Sequence, residues 1–241
     1  MTIAMTENRI FESADALAHE VADWLCELAR TKDGAFAVCL SGGSTPRRLY
    51  EYLATPEIAS RFPWKRAHWF WGDERFVPHD HPDSNLRMAR DAFLSRAPVP
   101  AGNIHAVPTE GMSPEEAAVA YEATLKGFYG ADQLTPERPL FDVTLLGIGD
   151  DGHTASLFPG QSALQETKRW AVAVVGVKSV SRITLTYPVL DSSVDLAFVA
   201  TGREKRQAVA RAQAGDRTLP SGAVRPIGRL HWFTDRSAAP K

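Results

Sequence analysis

Hydrophobic residues near the N-terminus follow two different patterns. Between residues 14 and 28 they recur every three or four positions, which predicts a helix capped by Ser13 and ended before Gly34. Residues 35–40 (AFAVCL) form an unbroken apolar run, which is typical of a strand covered on both faces. A helix followed by a fully buried strand favours an α/β architecture.

The same alternation continues along the chain. Helices are predicted to start at Thr45–Pro46, at Ser84, and at Ser113 with a capping box completed by Glu116. Further short apolar runs predict strands at 67–71, 141–149, 170–175, 182–187, 196–201 and 230–235. Alternating strands and helices imply right-handed crossovers, so we predict a single α/β domain over residues 1–241. Its fold would be Rossmann-like, with a mostly parallel sheet and helices on both faces.

Composition and charge narrow the possible partners. The chain has 27 basic and 29 acidic residues, a net charge of −2 that provides no field to attract nucleic acid or an anionic membrane. Cys26 and Cys39 are too few for a disulfide framework or a structural zinc site. The N-terminus lacks signal-peptide features, and no apolar run is long enough to cross a bilayer. We expect a cytoplasmic protein, monomeric or a small homo-oligomer, with neither nucleic-acid nor membrane partners.

Three predicted strands end in polar loops that contain glycine: 40–46 (LSGGSTP), 71–78 (WGDERFVP) and 147–156 (GIGDDGHTAS). Because ligands of open α/β sheets bind outside the carboxyl ends of the strands, we expect these loops to line one crevice. In the first loop, Gly42 and Gly43 allow a sharp turn, and Ser44 and Thr45 add hydroxyl groups at a helix N-terminus. This pattern favours a phosphate cradle, with an ordinary strand-to-helix turn as the alternative.

The second loop carries charge at a strand end. Asp73 can take a proton or orient a base, and Arg75 can hold an anion through its planar guanidinium group. A solvated run of charges is the competing interpretation. Nearby His79 and His81 could chelate a metal, but no third ligand is placed by spacing, so no metal site is predicted.

The third loop has the most specific chemistry. A histidine titrates close to neutral pH, so His153 can accept a proton from water, and Asp151 or Asp150 can fix its tautomer. No GxSxG elbow marks a serine nucleophile, which favours direct attack by water. One or two of the later basic residues Lys178, Arg182 and Lys205, placed beside the crevice, would complete a phosphate site.

Four segments resemble, in their order along the chain, the signature blocks of the 6-phosphogluconolactonase family. They are LSGGSTPRRLYEYLA, FWGDERFVPHDHPDSNLRMA, FDVTLLGIGDDGHTASLFPG and RITLTYPVL. The resemblance implies a sugar-phosphate isomerase-like fold and hydrolysis of a phosphorylated sugar lactone without a metal or redox cofactor. It also implies that His153 activates water and that Arg75 lies near the phosphate or the reacting end of the substrate. By the same resemblance, residues 42–45 form the phosphate loop, and Lys178, Arg182 and Lys205 occupy further matching positions.

Two alternatives remain at this stage. A glucosamine-6-phosphate deaminase or isomerase would need a glutamate after the Asp-Gly-His motif to help open the sugar ring, and Phe158 stands at that position. A sugar-phosphate sensor would bind the same ligand without turnover, but such regulators usually carry a DNA-binding helix-turn-helix for which no residues remain.

Overall fold

The computed structural model describes residues 5–241. Within them the strands are Thr6–Phe11 (β1), Phe36–Leu40 (β2), Ala67–Trp71 (β3), Asp73–Arg75 (β4), Phe141–Leu146 (β5), Ala171–Val174 (β6), Arg182–Leu185 (β7), Ser193–Ala200 (β8) and Arg229–Asp235 (β9). The α-helices are Ala14–Thr31 (α1), Ser44–Leu53 (α2), Pro56–Ala59 (α3), Asn85–Ala89 (α4), Pro114–Tyr129 (α5), Tyr187–Leu190 (α6), Arg206–Gln213 (α7) and Pro220–Ala223 (α8). A π-helical turn at Arg90–Leu94 extends α4.

The main sheet confirms the predicted α/β fold. Its strand order is β1-β9-β8-β5-β2-β3, and every neighbouring pair is parallel. Successive residues of a strand point to opposite faces of the sheet. Trp69 packs against Phe93 of the π-helical turn, whereas the next residue, Phe70, packs against Phe128 of α5. Helical segments therefore cover both faces of the sheet, as predicted.

A second, smaller sheet was not predicted. Strands β4, β7 and β6 form a three-stranded antiparallel sheet, so the strands predicted at 170–175 and 182–187 lie outside the main parallel sheet. Only residues 175–181 connect β6 to β7. A parallel crossover needs a dozen or more residues, and so short a link permits only an antiparallel pair.

The helix starts agree with the capping residues in most cases. The Ser13 hydroxyl accepts the N–H of Ala16, Ser84 caps α4, and the Ser113–Glu116 capping box of α5 is complete. Helix α2 begins at Ser44 with Gly43 as its N-cap, two residues before the predicted cap Thr45. None of the helices in residues 5–241 combines the length and apolar character that a bilayer crossing requires.

Candidate active site

The strand order brings the polar loops together. Strands β8, β5, β2 and β3 are consecutive neighbours in the parallel sheet, so their carboxyl ends form one edge. The Thr45 and Thr201 hydroxyls, which follow β2 and β8, lie 2.7 Å apart in a hydrogen bond. The histidine loop after β5 leaves the sheet between these two strand ends. The site therefore combines loops that are distant in the chain.

His153 and Asp151 form a close pair in the loop after β5. The ring Nδ1 of His153 donates to Oδ1 of Asp151 at 2.5 Å, and the backbone N–H of His153 donates to the same oxygen at 3.0 Å. Partial burial acts to raise the pKa of Asp151, but these bonds and the positive charge of Lys178 lower it overall. Asp150 instead accepts the N–H of Asp151 at 3.1 Å. Within residues 5–241, Asp151 is thus the aspartate that contacts the imidazole.

The turn that carries this pair depends on a close approach of the backbone. The N–H of Gly149 donates to the carbonyl of His153 at 2.8 Å, which folds the loop back on itself. A Cβ at residue 149 would overlap both the His153 ring and the Asp151 carboxylate. Only glycine therefore allows the histidine and aspartate to close over the turn.

The second ring nitrogen of His153 is open. Within residues 5–241 the structure gives Nε2 no hydrogen-bond partner, and the side chain is 28% exposed. An imidazole that donates through Nδ1 presents an unprotonated Nε2, which can accept a proton. This arrangement suits a general base that acts on water.

Phe158 connects the histidine to two cations. Its buried ring lies 4.6 Å from the His153 ring, between centroids. The Lys178 ammonium lies 5.2 Å, and the Arg182 guanidinium carbon 5.7 Å, from the centre of the same ring. The base and the two cations thus meet around one aromatic surface. No proton relay is possible at this position, where the deaminase pattern has glutamate.

Asp73 is a buried acceptor with several donors. Its Oδ2 accepts the Ser156 hydroxyl at 2.6 Å and lies 3.7 Å from Nη1 of Arg182. The amide nitrogen of Asn85 donates to the backbone carbonyl of Asp73 at 2.8 Å and approaches its Oδ1 at 3.5 Å. Burial lowers the pKa of Arg182, and the negative charge of Asp73 partly opposes that effect.

Arg75 and Arg182 are paired across the antiparallel sheet. They lie directly opposite each other on β4 and β7. Nη1 of Arg75 donates to the Asp83 carbonyl at 2.9 Å. The Nε atoms of both arginines are buried without a hydrogen-bond partner within residues 5–241. Two guanidinium groups this close concentrate positive charge, which is suited to an anion that carries several oxygens.

A cavity of about 150 Å³ opens beside the predicted phosphate loop, and Ser44, Thr45, Arg48, Thr201 and Ala14 line it. Arg48 forms an ion pair with Asp15 at 3.1 Å. Arg48 was missed at the sequence level, although it lies four residues after Ser44 and therefore on the same helix face. Gly42 and Gly43 form the turn that leads into this helix.

The remaining predicted residues are less closely tied to the site. Lys205 precedes α7 on the segment that follows β8, and no hydrogen bond or ion pair of its side chain is seen within residues 5–241. His79 hydrogen-bonds the Val107 carbonyl through Nε2, and Nδ1 of His81 accepts the N–H of Asp83. His79 thus joins its loop to the segment around Val107, and His81 holds its own loop.

Comparison with known proteins gives consistent matches. Residues 12–232 match the family described as glucosamine-6-phosphate isomerases/6-phosphogluconolactonase. A 6-phosphogluconolactonase of Nostoc sp. is 46% identical over 88% of this chain and 87% of its own length. The chloroplastic 6-phosphogluconolactonase 3 of Arabidopsis thaliana is 39% identical over 98% of this chain and 73% of its own length.

A solved structure with the same name as these relatives is also similar to this chain. The crystal structure of 6-phosphogluconolactonase from Thermotoga maritima is 31% identical, covers 96% of this chain and 100% of its own, and superposes with a TM-score of 0.79. The likeness extends over both sheets because almost the whole chain is covered. The chain therefore belongs to the glucosamine-6-phosphate isomerase/6-phosphogluconolactonase family.

Proposed function

We propose that the chain hydrolyses 6-phospho-D-glucono-1,5-lactone to 6-phosphogluconate, the hydrolytic step of the oxidative pentose phosphate pathway, with His153 as the base that activates water. The lactonase activity is supported by two relatives that carry this name, at 46% and 39% identity. The observation that carries the mechanism is the geometry of one side chain. His153 is anchored by Asp151 through Nδ1 at 2.5 Å and keeps Nε2 open.

The reaction needs one proton acceptor and one group to stabilise negative charge. Nε2 of His153 takes a proton from water as the water oxygen attacks the lactone carbonyl. Asp151 holds the ring in the tautomer that leaves Nε2 unprotonated and stabilises the imidazolium that forms. When the tetrahedral intermediate collapses, the carbon–ring-oxygen bond breaks and the imidazolium returns the proton to the leaving oxygen.

The cationic residues stabilise the oxyanion and bind the phosphate. The developing oxyanion is stabilised by Arg75 or by a backbone N–H of a glycine-containing loop. The phosphate is bound by residues 42–45 together with basic side chains among Lys178, Arg182 and Lys205. Phosphate binding far from the carbonyl provides binding energy that positions the ring for attack. The neighbouring positive charges of Arg75 and Arg182 support the presence of an anion on this side of the site.

We further propose that the enzyme acts in the cytoplasm. Cys26 and Cys39 are both free and buried, which fits a reducing compartment. Phe158 supports hydrolysis over sugar isomerisation because its ring cannot replace the glutamate that the deaminase reaction uses.

The proposed function is tested by comparing 6-phosphogluconolactone with unphosphorylated glucono-1,5-lactone, with the spontaneous hydrolysis of each subtracted. We expect kcat/KM to be about 100-fold or more higher for the phosphorylated lactone, because the anion-binding residues contribute only there. Equal rate constants for the two lactones would contradict the proposed substrate. Ammonia release from glucosamine-6-phosphate would instead support the deaminase alternative.

A further inference from the structure

A chain of buried polar contacts joins the Gly42 turn to the loop that carries His153. Asn85 packs directly against the turn, because a Cβ at residue 42 would overlap the Asn85 side-chain amide. Asn85 donates to the backbone of Asp73 at 2.8 Å, and the carboxylate of Asp73 accepts the Ser156 hydroxyl at 2.6 Å. Ser156 lies three residues after His153. The contacts therefore cross from one side of the site to the other.

The residues that form this series of polar contacts are almost inaccessible to solvent. Relative exposure is 1% for Asn85, 6% for Asp73 and 0% for Ser156. Hydrogen bonds to an ionised carboxylate are strong, and they are stronger where water is excluded. A buried carboxylate that lost the Ser156 donor would reorganise to recover one, and Nη1 of Arg182 lies 3.7 Å from its Oδ2.

Ser156 has contacts that hold its own loop as well. Its backbone N–H donates to the Thr184 hydroxyl of β7 at 3.1 Å, and Nη1 of Arg182 lies 3.5 Å from its oxygen. The preceding residue, Ala155, has φ +48°, a left-handed conformation that alanine adopts only when its surroundings impose it. The loop conformation between His153 and Ser156 is thus imposed by contacts with the antiparallel sheet and with Asp73.

We infer that Ser156 and Asn85 are positioning residues, which act through Asp73 to hold the Gly42 turn and the His153 loop at a fixed separation. This inference rests on the proposed function, in which a phosphate bound at one side presents the lactone carbonyl to the imidazole at the other. It assigns Asp73 a structural task, because its carboxylate oxygens are already used by neighbouring donors. Binding energy from the phosphate reaches the reacting carbon only if the two loops are rigidly connected.

The test uses the ratio of kcat/KM for phosphorylated over unphosphorylated lactone, measured for the full chain. Ser156→Ala removes one hydroxyl and replaces none of the residues proposed to bind the substrate. We expect the ratio to fall about tenfold, mainly through kcat for the phosphorylated lactone. The phosphate-binding residues are unchanged, but the lactone carbonyl is no longer held in line with the imidazole. Ser193→Ala is the matched control: Ser193 is equally buried, with its hydroxyl bonded to Leu190 and Thr144 near the amino end of β8. It should leave the ratio unchanged.

Asn85→Ala breaks the same series of polar contacts at its other end. It should also lower the ratio of kcat/KM for phosphorylated over unphosphorylated lactone. In a double-mutant cycle, Asp73→Ala combined with Ser156→Ala should cost little more than Asp73→Ala alone, because both changes break the same hydrogen bond. A folded Ser156→Ala variant that keeps the wild-type ratio, or strictly additive effects in the cycle, would overturn the inference. A wild-type ratio near one would instead refute the proposed function, so the two failures are distinguishable.

Discussion

Two histidine–aspartate pairs lie toward opposite ends of the parallel sheet. His153 and Asp151 follow the carboxyl end of β5, with Nδ1 and Oδ1 2.5 Å apart. His231 of β9 and Asp195 of β8 lie near the amino ends of their strands, with Nε2 and Oδ1 2.6 Å apart. By distance alone the two pairs are equivalent.

The pairs differ in what surrounds the second nitrogen. Nδ1 of His231 also contacts the carboxylate of Glu7 at 3.2 Å, and its side chain is 3% exposed. Asp195 is further engaged by Arg229 through two bonds of 2.8 Å. His231 therefore joins three strands of the sheet and has no nitrogen left for a substrate, whereas His153 keeps one. A close carboxylate makes a histidine a useful base only where the other nitrogen remains open.

The strongest test of this comparison removes each histidine in turn. His153→Ala should lower kcat about 10²–10⁴-fold, because the base that activates water is lost. The melting temperature should change little, since the side chain is partly exposed and bonded only within its own loop. Steady-state hydrolysis and thermal unfolding of the purified variant measure both quantities.

His231→Ala is the matched variant at the other end of the sheet. It should lower the free energy of unfolding by about 1–3 kcal/mol, because the buried Asp195 loses one of its hydrogen-bond donors and within residues 5–241 keeps only Arg229. Activity per folded molecule should stay close to wild type. A His153→Ala variant with near-normal hydrolysis, or a stable His231→Ala variant without activity, would reverse the roles assigned to the two histidines.

The second test concerns the aspartates of the histidine loop. Asp151→Asn should lower kcat about 10–100-fold, because the amide no longer holds the tautomer with an unprotonated Nε2. Asp150→Asn is the control and should change kcat less than about threefold, because among residues 5–241 the Asp150 carboxylate bonds only the N–H of Asp151. If Asp150→Asn were the more damaging change, the orienting role would belong to that residue instead.

The parallel sheet was predictable because each of its central strands is a short apolar run between helix signals. Strand β2 is buried at every position, and the chain between strands is long enough for a crossover. Strand β1 escaped prediction because its sequence, TENRIF, is polar and mostly exposed at the edge of the sheet. The antiparallel sheet escaped prediction because apolar periodicity does not report strand direction.

The site was predictable only in part, for a related reason. His153 and the glycine turn at 42–43 stand out because their residue types suit chemistry at strand ends. Ser156 and Asn85 carry no such signal: a serine and an asparagine in a loop are common, and their value comes from packing against Asp73. The choice between Asp150 and Asp151 likewise depends on backbone geometry that spacing does not determine.

A third aspartate extends the comparison to a carboxylate without a histidine partner. Burial raises the pKa of Asp191 to about 7, and the bond that it accepts from the N–H of Arg225 at 2.8 Å only partly opposes this. An aspartate in the unfolded chain ionises near pH 4 (about 3.9). Between these values the folded protein keeps a proton that the unfolded chain has lost, so stability falls as the pH rises through this range and is constant above it.

Asp191→Asn keeps the acceptor for Arg225 and removes the charge. The variant should be more stable than wild type at pH 8 by on the order of 2 kcal/mol, a value below the full shift because the site is partly exposed. The difference should shrink as the pH falls from 7 and should vanish only below about pH 4, where Asp191 is protonated in the unfolded chain as well. Asp195→Asn should instead be less stable than wild type at pH 8. Burial acts to raise the pKa of Asp195, but its bonds with His231 and Arg229 lower that pKa overall. The charge of Asp195 therefore stabilises the fold at pH 8. Urea unfolding at a series of pH values measures both curves, and an Asp191→Asn variant no more stable than wild type at pH 8 would show that this carboxylate is not held protonated by burial.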